Sequence, residues 1–77
     1  MNKMKKQRVL QEIAEMNKHL KVIMNIQDDE AYSIDNIPEN LLNSYRMSEK
    51  VDFYEEMSDL VDALETAIDD LETHMES

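Results

Sequence analysis

Not one of the 77 residues is glycine, and the single proline is Pro38. Strand-rich folds need many tight turns, and the residues that make them are scarce here. The same absence removes every Gly-rich phosphate loop, and with it the P-loop and dinucleotide-binding fingerprints. The composition therefore supports an all-α chain. At this length it forms one helical domain spanning residues 1–77, and so small a chain usually needs a disulfide, a metal or a partner chain to be stable. There is no cysteine, which excludes disulfides and thiolate metal sites and fits a reducing, cytoplasmic setting. No apolar run approaches the ~20 residues that a membrane-spanning helix needs. The charged N-terminus is not followed by an apolar stretch, so no secretory signal is expected. Oligomerisation is the staple left open.

Hydrophobic spacing predicts helix one over about residues 4–33. Val9, Ile13, Met16, Leu20 and Ile23 alternate steps of four and three, with Leu10, Met24 and Ala31 beside them. The same register then reaches Gln27, Glu30 and Ile34, where the stripe weakens into a polar stretch that either faces solvent or bonds within a partly wet interface. Residues 35–47 interrupt the pattern. Pro38 cannot continue the first helix but suits the first position of a new turn. Asn36 can take the left-handed conformation that often closes a helix. Leu41, Leu42, Tyr45 and Met47 are too apolar for a free linker, so a short helical turn is expected, with its leucines folded over the open end of a hairpin.

Helix two is predicted over about residues 48–76, with Ser48 as its N-cap and Glu49 in the favourable first turn. Tyr54, Met57, Val61, Leu64, Ile68, Leu71 and Met75 alternate steps of three and four without a break. Phe53, Leu60 and Ala67 recur every seven residues on the adjoining row. The apolar face is thus about three positions in seven wide, broader than one partner helix can cover. A short connection makes the two helices an antiparallel hairpin. The width of the face argues for a homodimer closing into a four-helix bundle, with docking of a different protein as the alternative that the sequence does not separate from it. The expected self-association residues are Ile13, Met16, Leu20 and Ile23 from helix one, with Tyr54, Met57, Val61, Leu64, Ile68 and Leu71 from helix two.

Charge is distributed as unevenly as hydrophobicity. Residues 1–21 hold six basic and two acidic side chains, a net of +4, whereas residues 22–77 hold two basic and sixteen acidic, a net of −14. Lys3, Lys5, Lys6 and Arg8 sit where the dipole of helix one disfavours cations, and Asp69, Asp70, Glu72 and Glu76 sit where that of helix two disfavours anions. Each end suits the other helix if the two run antiparallel. On helix two, Asp52, Glu55, Glu56, Asp59, Asp62, Glu65, Asp69, Asp70, Glu72 and Glu76 form an acidic face almost without cations. Ordinary solvated helices intersperse lysine at i+4, so this bias costs some stability. It is either a solubilising surface or a phosphate-like array that occupies a basic groove of a nucleic-acid-binding protein. Direct contact with nucleic acid or an anionic membrane is not expected from so acidic a chain.

Chemistry finds little foothold. His19 and His74 belong to no Glu-x-x-His pair of the kind that builds di-iron sites in bundles, and no serine, histidine and acid are placed as a triad. The pairs Glu12/Glu15 and Glu56/Asp59 resemble the magnesium-binding pattern of all-α nucleotide pyrophosphohydrolases. A hairpin pivoting near residue 40 keeps them apart, however, and helix two lacks cations for substrate phosphates. No catalytic residue, metal or cofactor is assigned, and the chain is read as a non-enzyme.

The centre of the chain carries a pattern of its own: Asp28-Asp29-Glu30-Ala31-Tyr32, then Asp35-Asn36-Ile37-Pro38-Glu39-Asn40-Leu41 with Ser44, then Ala67-Ile68-Asp69-Asp70-Leu71-Glu72. Over roughly residues 23–76 it resembles small acidic helical proteins carried by phages and mobile elements of Gram-positive bacteria. Arg46 and Met47 depart from the polar or acidic residues of that pattern. The resemblance brings no activity or catalytic residues, but it implies a phage-like origin and favours an inhibitor of host machinery. Two roles follow: an interaction module whose acidic face sequesters a basic host protein, or a structural homo-oligomer with an inert acidic surface; a metal-dependent nucleotide pyrophosphohydrolase is the remote third.

Overall fold

The computed structural model describes residues 1–42 and 45–77, with side chains described for 1–41 and 46–77. Helix α1 spans Lys3–Asp35, the four-residue α2 spans Glu39–Leu42, and α3 spans Tyr45–Glu76. The long helices α1 and α3 pack along each other, and α2 rests against α3. No strand occurs among the described residues. Antiparallel order is visible at both ends. Near the termini, the Lys6 ammonium donates to the main-chain oxygen of Ser77 at 3.4 Å, and near the turn Lys50 meets Glu30 at 3.4 Å.

Helix α1 starts with a cap that the charge pattern does not advertise. The side-chain oxygen of Asn2 accepts from the Lys5 amide at 2.8 Å, satisfying one of the free donors of the first turn. Its other end closes without any left-handed residue. Asn36 has φ −92° and ψ 3°, and no described residue has positive φ, contrary to the left-handed closure expected there. Instead Asn36 uses its side chain. Its Nδ2 donates to the Tyr32 carbonyl at 2.7 Å while its own amide reaches the same oxygen at 3.2 Å. Ile37 is then steered out of the helical region by the proline that follows it. Pro38 opens the next turn, its carbonyl accepting from the Leu41 amide at 2.9 Å.

Two further expectations at the turn are corrected. Helix α3 begins at Tyr45, so Ser48 lies inside its first turn and does not cap it. Nothing in Tyr45-Arg46-Met47 opposes helix, and a serine inside a helix costs only a few tenths of a kcal/mol or so. The leucine lid is not closed at Leu41, whose side chain stays exposed; the side chains of Leu42 and Tyr45, and the whole of Ser44, lie outside the described residues.

The core is a narrow seam. Ile13 and Leu20 of α1 and Val61 and Ile68 of α3 are the buried apolar residues, with Val9, Leu10, Ile23, Met24, Met57 and Met75 half-buried around them. Ile13 and Leu20 are seven residues apart, as are Val61 and Ile68, which is the repeat of a two-helix seam. Beyond Leu20 the seam turns polar through Gln27 and Glu30, both half-buried. Of the two alternatives for this stretch, the partly wet interface is the one found, held by the Glu30–Lys50 pair.

Ile13 is 1% exposed, so Ile13→Ala should destabilise the protein by about 2–5 kcal/mol, and Asn2→Ala by about 1 kcal/mol. Chemical denaturation at one fixed protein concentration measures both. An Ile13→Ala loss no larger than that of Asn2→Ala would contradict the seam.

Candidate functional site: an apolar groove and an acidic flank

The interhelical seam uses only one edge of the apolar face of α3. Tyr54, Val61, Ile68 and Met75, spaced by seven, point at α1, and the positions between them on one side are Ser58, Glu65 and Glu72, all half-buried. Leu64 and Leu71 turn away from the seam on the other side and remain 47% and 39% exposed. Phe53 and Leu60, one row further round, are each 71% exposed. Of the expected self-association residues, Ile13, Leu20, Val61 and Ile68 are therefore spent inside the hairpin. Ile23 and Met57 are half-buried against that core and Tyr54 is half-buried beyond it, and all three also reach the open side, where Met16, Leu64 and Leu71 are exposed.

These outward residues are continuous. Near the termini Leu71 lies with Met1, Val9 and Met16 around one depression. Midway, Leu60 and Leu64 lie with Ile23, Met57 and Phe53 around a second. Towards the turn, Phe53 and Met57 also line a third, with Ile26 and Tyr54. Shared residues join the last two, and heptad steps join the first to the second, from Leu71 to Leu64 on α3 and from Met16 to Ile23 on α1. One side of the hairpin is thus an apolar groove running about 40 Å along its length. Few charges rim it: Lys5, Arg8 and Glu12 near the termini, Glu56 midway, and the paired Glu30 and Lys50 near the turn.

The acidic side chains gather away from this groove. Glu55, Asp62, Asp69 and Glu76 recur every seven residues on a single row, which the helical repeat sets on the flank of α3 opposite Phe53, Leu60 and Leu64. Glu65 and Glu72 border the row and are half-buried beside the seam. Asp52, Asp59 and Asp70 occupy the back of the helix and are exposed, and Glu56, also exposed, lies between that back and the groove it rims. Among the described residues, none of these ten carboxylates has a basic nitrogen within 4.0 Å; the ion pairs found are Lys18–Glu15 at 3.1 Å and Lys50–Glu30 at 3.4 Å. Among the described residues no ion pair joins the basic start of α1 to the acidic end of α3, where the contact found is that of Lys6 with the Ser77 main chain.

Candidate metal ligands are not assembled. Glu12 rims the terminal depression and Glu56 the central one, so Glu12/Glu15 and Glu56/Asp59 lie roughly 15–20 Å apart along the hairpin. Among the described residues no group of three or more histidine or carboxylate side chains could hold a metal ion. His19 and His74 are both exposed. No described helix is long and apolar enough to cross a membrane. No protein-family model, curated protein or solved structure matches this chain.

The split role of the apolar residues was half legible. Their heptad rows were countable in the sequence, but which row would face α1 was not. The Asn2 cap and the Lys50–Glu30 bridge also escaped sequence reasoning, the bridge because it joins residues twenty positions apart across the turn. Given the separation of the acidic pairs, titrating magnesium into the protein should reveal no saturable site. A site that Glu12→Gln and Glu56→Gln together abolish would show that the carboxylates do converge.

Proposed function

We propose that the chain is a dimeric protein–protein interaction module. Two hairpins join through their apolar grooves into a four-helix bundle, and the acidic flank of α3 occupies the basic surface of a nucleic-acid-binding protein. The observation that carries this reading is the segregation of the two surfaces, with apolar side chains on one flank of α3 and carboxylates on the other. A merely solubilised helix gains by mixing lysine among its acids, and this one does not.

The spacing of charge supports the choice of partner. From Asp52 to Glu76 the ten carboxylates spread over about 36 Å of helix, roughly one per 3.6 Å, against one phosphate per ~3.4 Å along a DNA strand. A protein surface that tracks phosphates with lysine and arginine would find a comparable density here. The resemblance of residues 23–76 to acidic proteins of Gram-positive phages and mobile elements points the same way, towards an inhibitor acting on a cytoplasmic host protein. The assembly reading, a homo-oligomer with an inert acidic surface, rests on the groove alone.

The immobilised protein should retain a basic nucleic-acid-binding protein from a Gram-positive lysate, and duplex DNA should displace it. Neutralising Asp59, Asp62, Glu65 and Asp69 together to Asn or Gln should weaken that binding by at least about tenfold, as should raising salt from about 50 to 200 mM. Retention indifferent to salt, DNA and the fourfold variant would count against the mimic and leave the inert assembly standing.

A further inference from the structure

The groove calls for an occupant of definite size. A compact chain of 9.1 kDa exposes about 4,900 Å² by the usual mass scaling, whereas this hairpin exposes 6349 Å², an excess of roughly 1,400 Å². Its radius of gyration is 17.6 Å where a globular chain of this length has about 11–12 Å. A stable interface buries roughly 800 Å² on each partner, so the excess is more than enough for one. The groove can also meet its own copy, since its floor is mainly apolar, its charged residues lie at the rim, and it runs about 40 Å of the 59 Å molecule.

Two hairpins can stack groove to groove in two ways. If the two-fold axis runs across the hairpin, α1 lies beside α1 of the other copy and α3 beside α3. If it runs along the hairpin, each α1 lies beside the other copy's α3. Charge separates these. Helix α3 carries eleven acidic and two basic side chains, a net of −9, whereas α1 carries six of each, a net of zero. Neighbouring helices in a bundle are about 8–10 Å apart and diagonal ones about 14 Å, a difference comparable to half a screening length. Placing α3 beside α3 sets the two most acidic elements at the shorter distance. The lengthwise axis sets them on the diagonal, with a neutral helix on each side. It also brings Lys3, Lys5, Lys6 and Arg8 of one copy level with Asp69, Asp70, Glu72 and Glu76 of the other.

We infer that a second copy of this chain covers the groove, with the two-fold axis along the hairpin, so that α1 packs against the partner's α3 and the two acidic helices occupy opposite corners. This rests on the four-helix reading above and deepens it. The assembly then presents two acidic flanks facing opposite directions, and can hold two basic surfaces at once.

Cysteine chemistry tests the arrangement without interference, since the chain has no thiol of its own. Met16 lies between Ile13 and Leu20, and Leu64 between Val61 and Ile68, so both sit midway along the groove, and both are partly exposed. Under mild oxidation Met16→Cys alone and Leu64→Cys alone should stay uncrosslinked, whereas a mixture of the two should form a disulfide-linked pair containing one of each. Crosslinking within each separate sample would instead place like helices side by side and overturn the arrangement. A dimeric mass with no crosslink in any sample would put the interface elsewhere and overturn it too. Light scattering on the unmodified protein at 9.1 kDa, rather than twice that, would remove the four-helix reading itself. As a second variant, Leu60→Glu lies outside the hairpin seam and should halve the mass while helicity by circular dichroism is kept. A dimer undisturbed by that charge would again overturn the assignment of the face.

Discussion

Everything in this molecule hangs on a seam two side chains deep on each helix. Ile13 and Leu20 meet Val61 and Ile68, and around them the contacts are half-wet. Burying an aliphatic side chain of this kind yields roughly 1.5–3 kcal/mol, while ordering each residue of the chain costs on the order of 1–2 kcal/mol. So narrow a seam can set the register and direction of two long helices. It leaves many of their apolar side chains exposed, and the length of the two helices draws the molecule out to 59 Å by 16 Å by 14 Å.

Electrostatics acts on this frame by choosing among arrangements more than by holding any of them together. Exposed ion pairs contribute little each, and only one, Lys50–Glu30, bridges the long helices among the described residues. Yet the net charge of −10 is concentrated on α3, with the cations at the start of α1. That asymmetry favours the antiparallel hairpin, and the same asymmetry disfavours any bundle in which two α3 helices are neighbours. Salt should relax both preferences, since they act across exposed surfaces.

The local chemistry of the chain was mostly readable. Two helices, a break around Pro38 and their antiparallel order follow from spacing and from the two residues that are scarce. The misreadings cluster where a side chain substitutes for a backbone preference. Asn36 closes α1 through its amide group and not through positive φ. Ser48, a good N-cap by type, is carried into α3 because the helix begins at Tyr45. In each case propensity identified a residue able to end a helix, and the neighbouring residues decided whether that ability was used.

What the sequence determined by itself is the helical class, the antiparallel pairing and the presence of more apolar surface than one partner helix can cover. These depend on composition and on periodicities of three and four, which are local properties. Only the tertiary structure decided how α3 is rotated. Its apolar arc spans several rows, and periodicity alone does not say which of them faces α1. Packing against Ile13 and Leu20 selected the row of Val61 and Ile68, with Met75 half-buried beside them, turning Phe53, Leu60, Leu64 and Leu71 outward and the row of Glu55, Asp62, Asp69 and Glu76 to the opposite flank. A heptad pattern fixes which residues share a row, whereas a choice between rows depends on the partner surface, which no single helix carries.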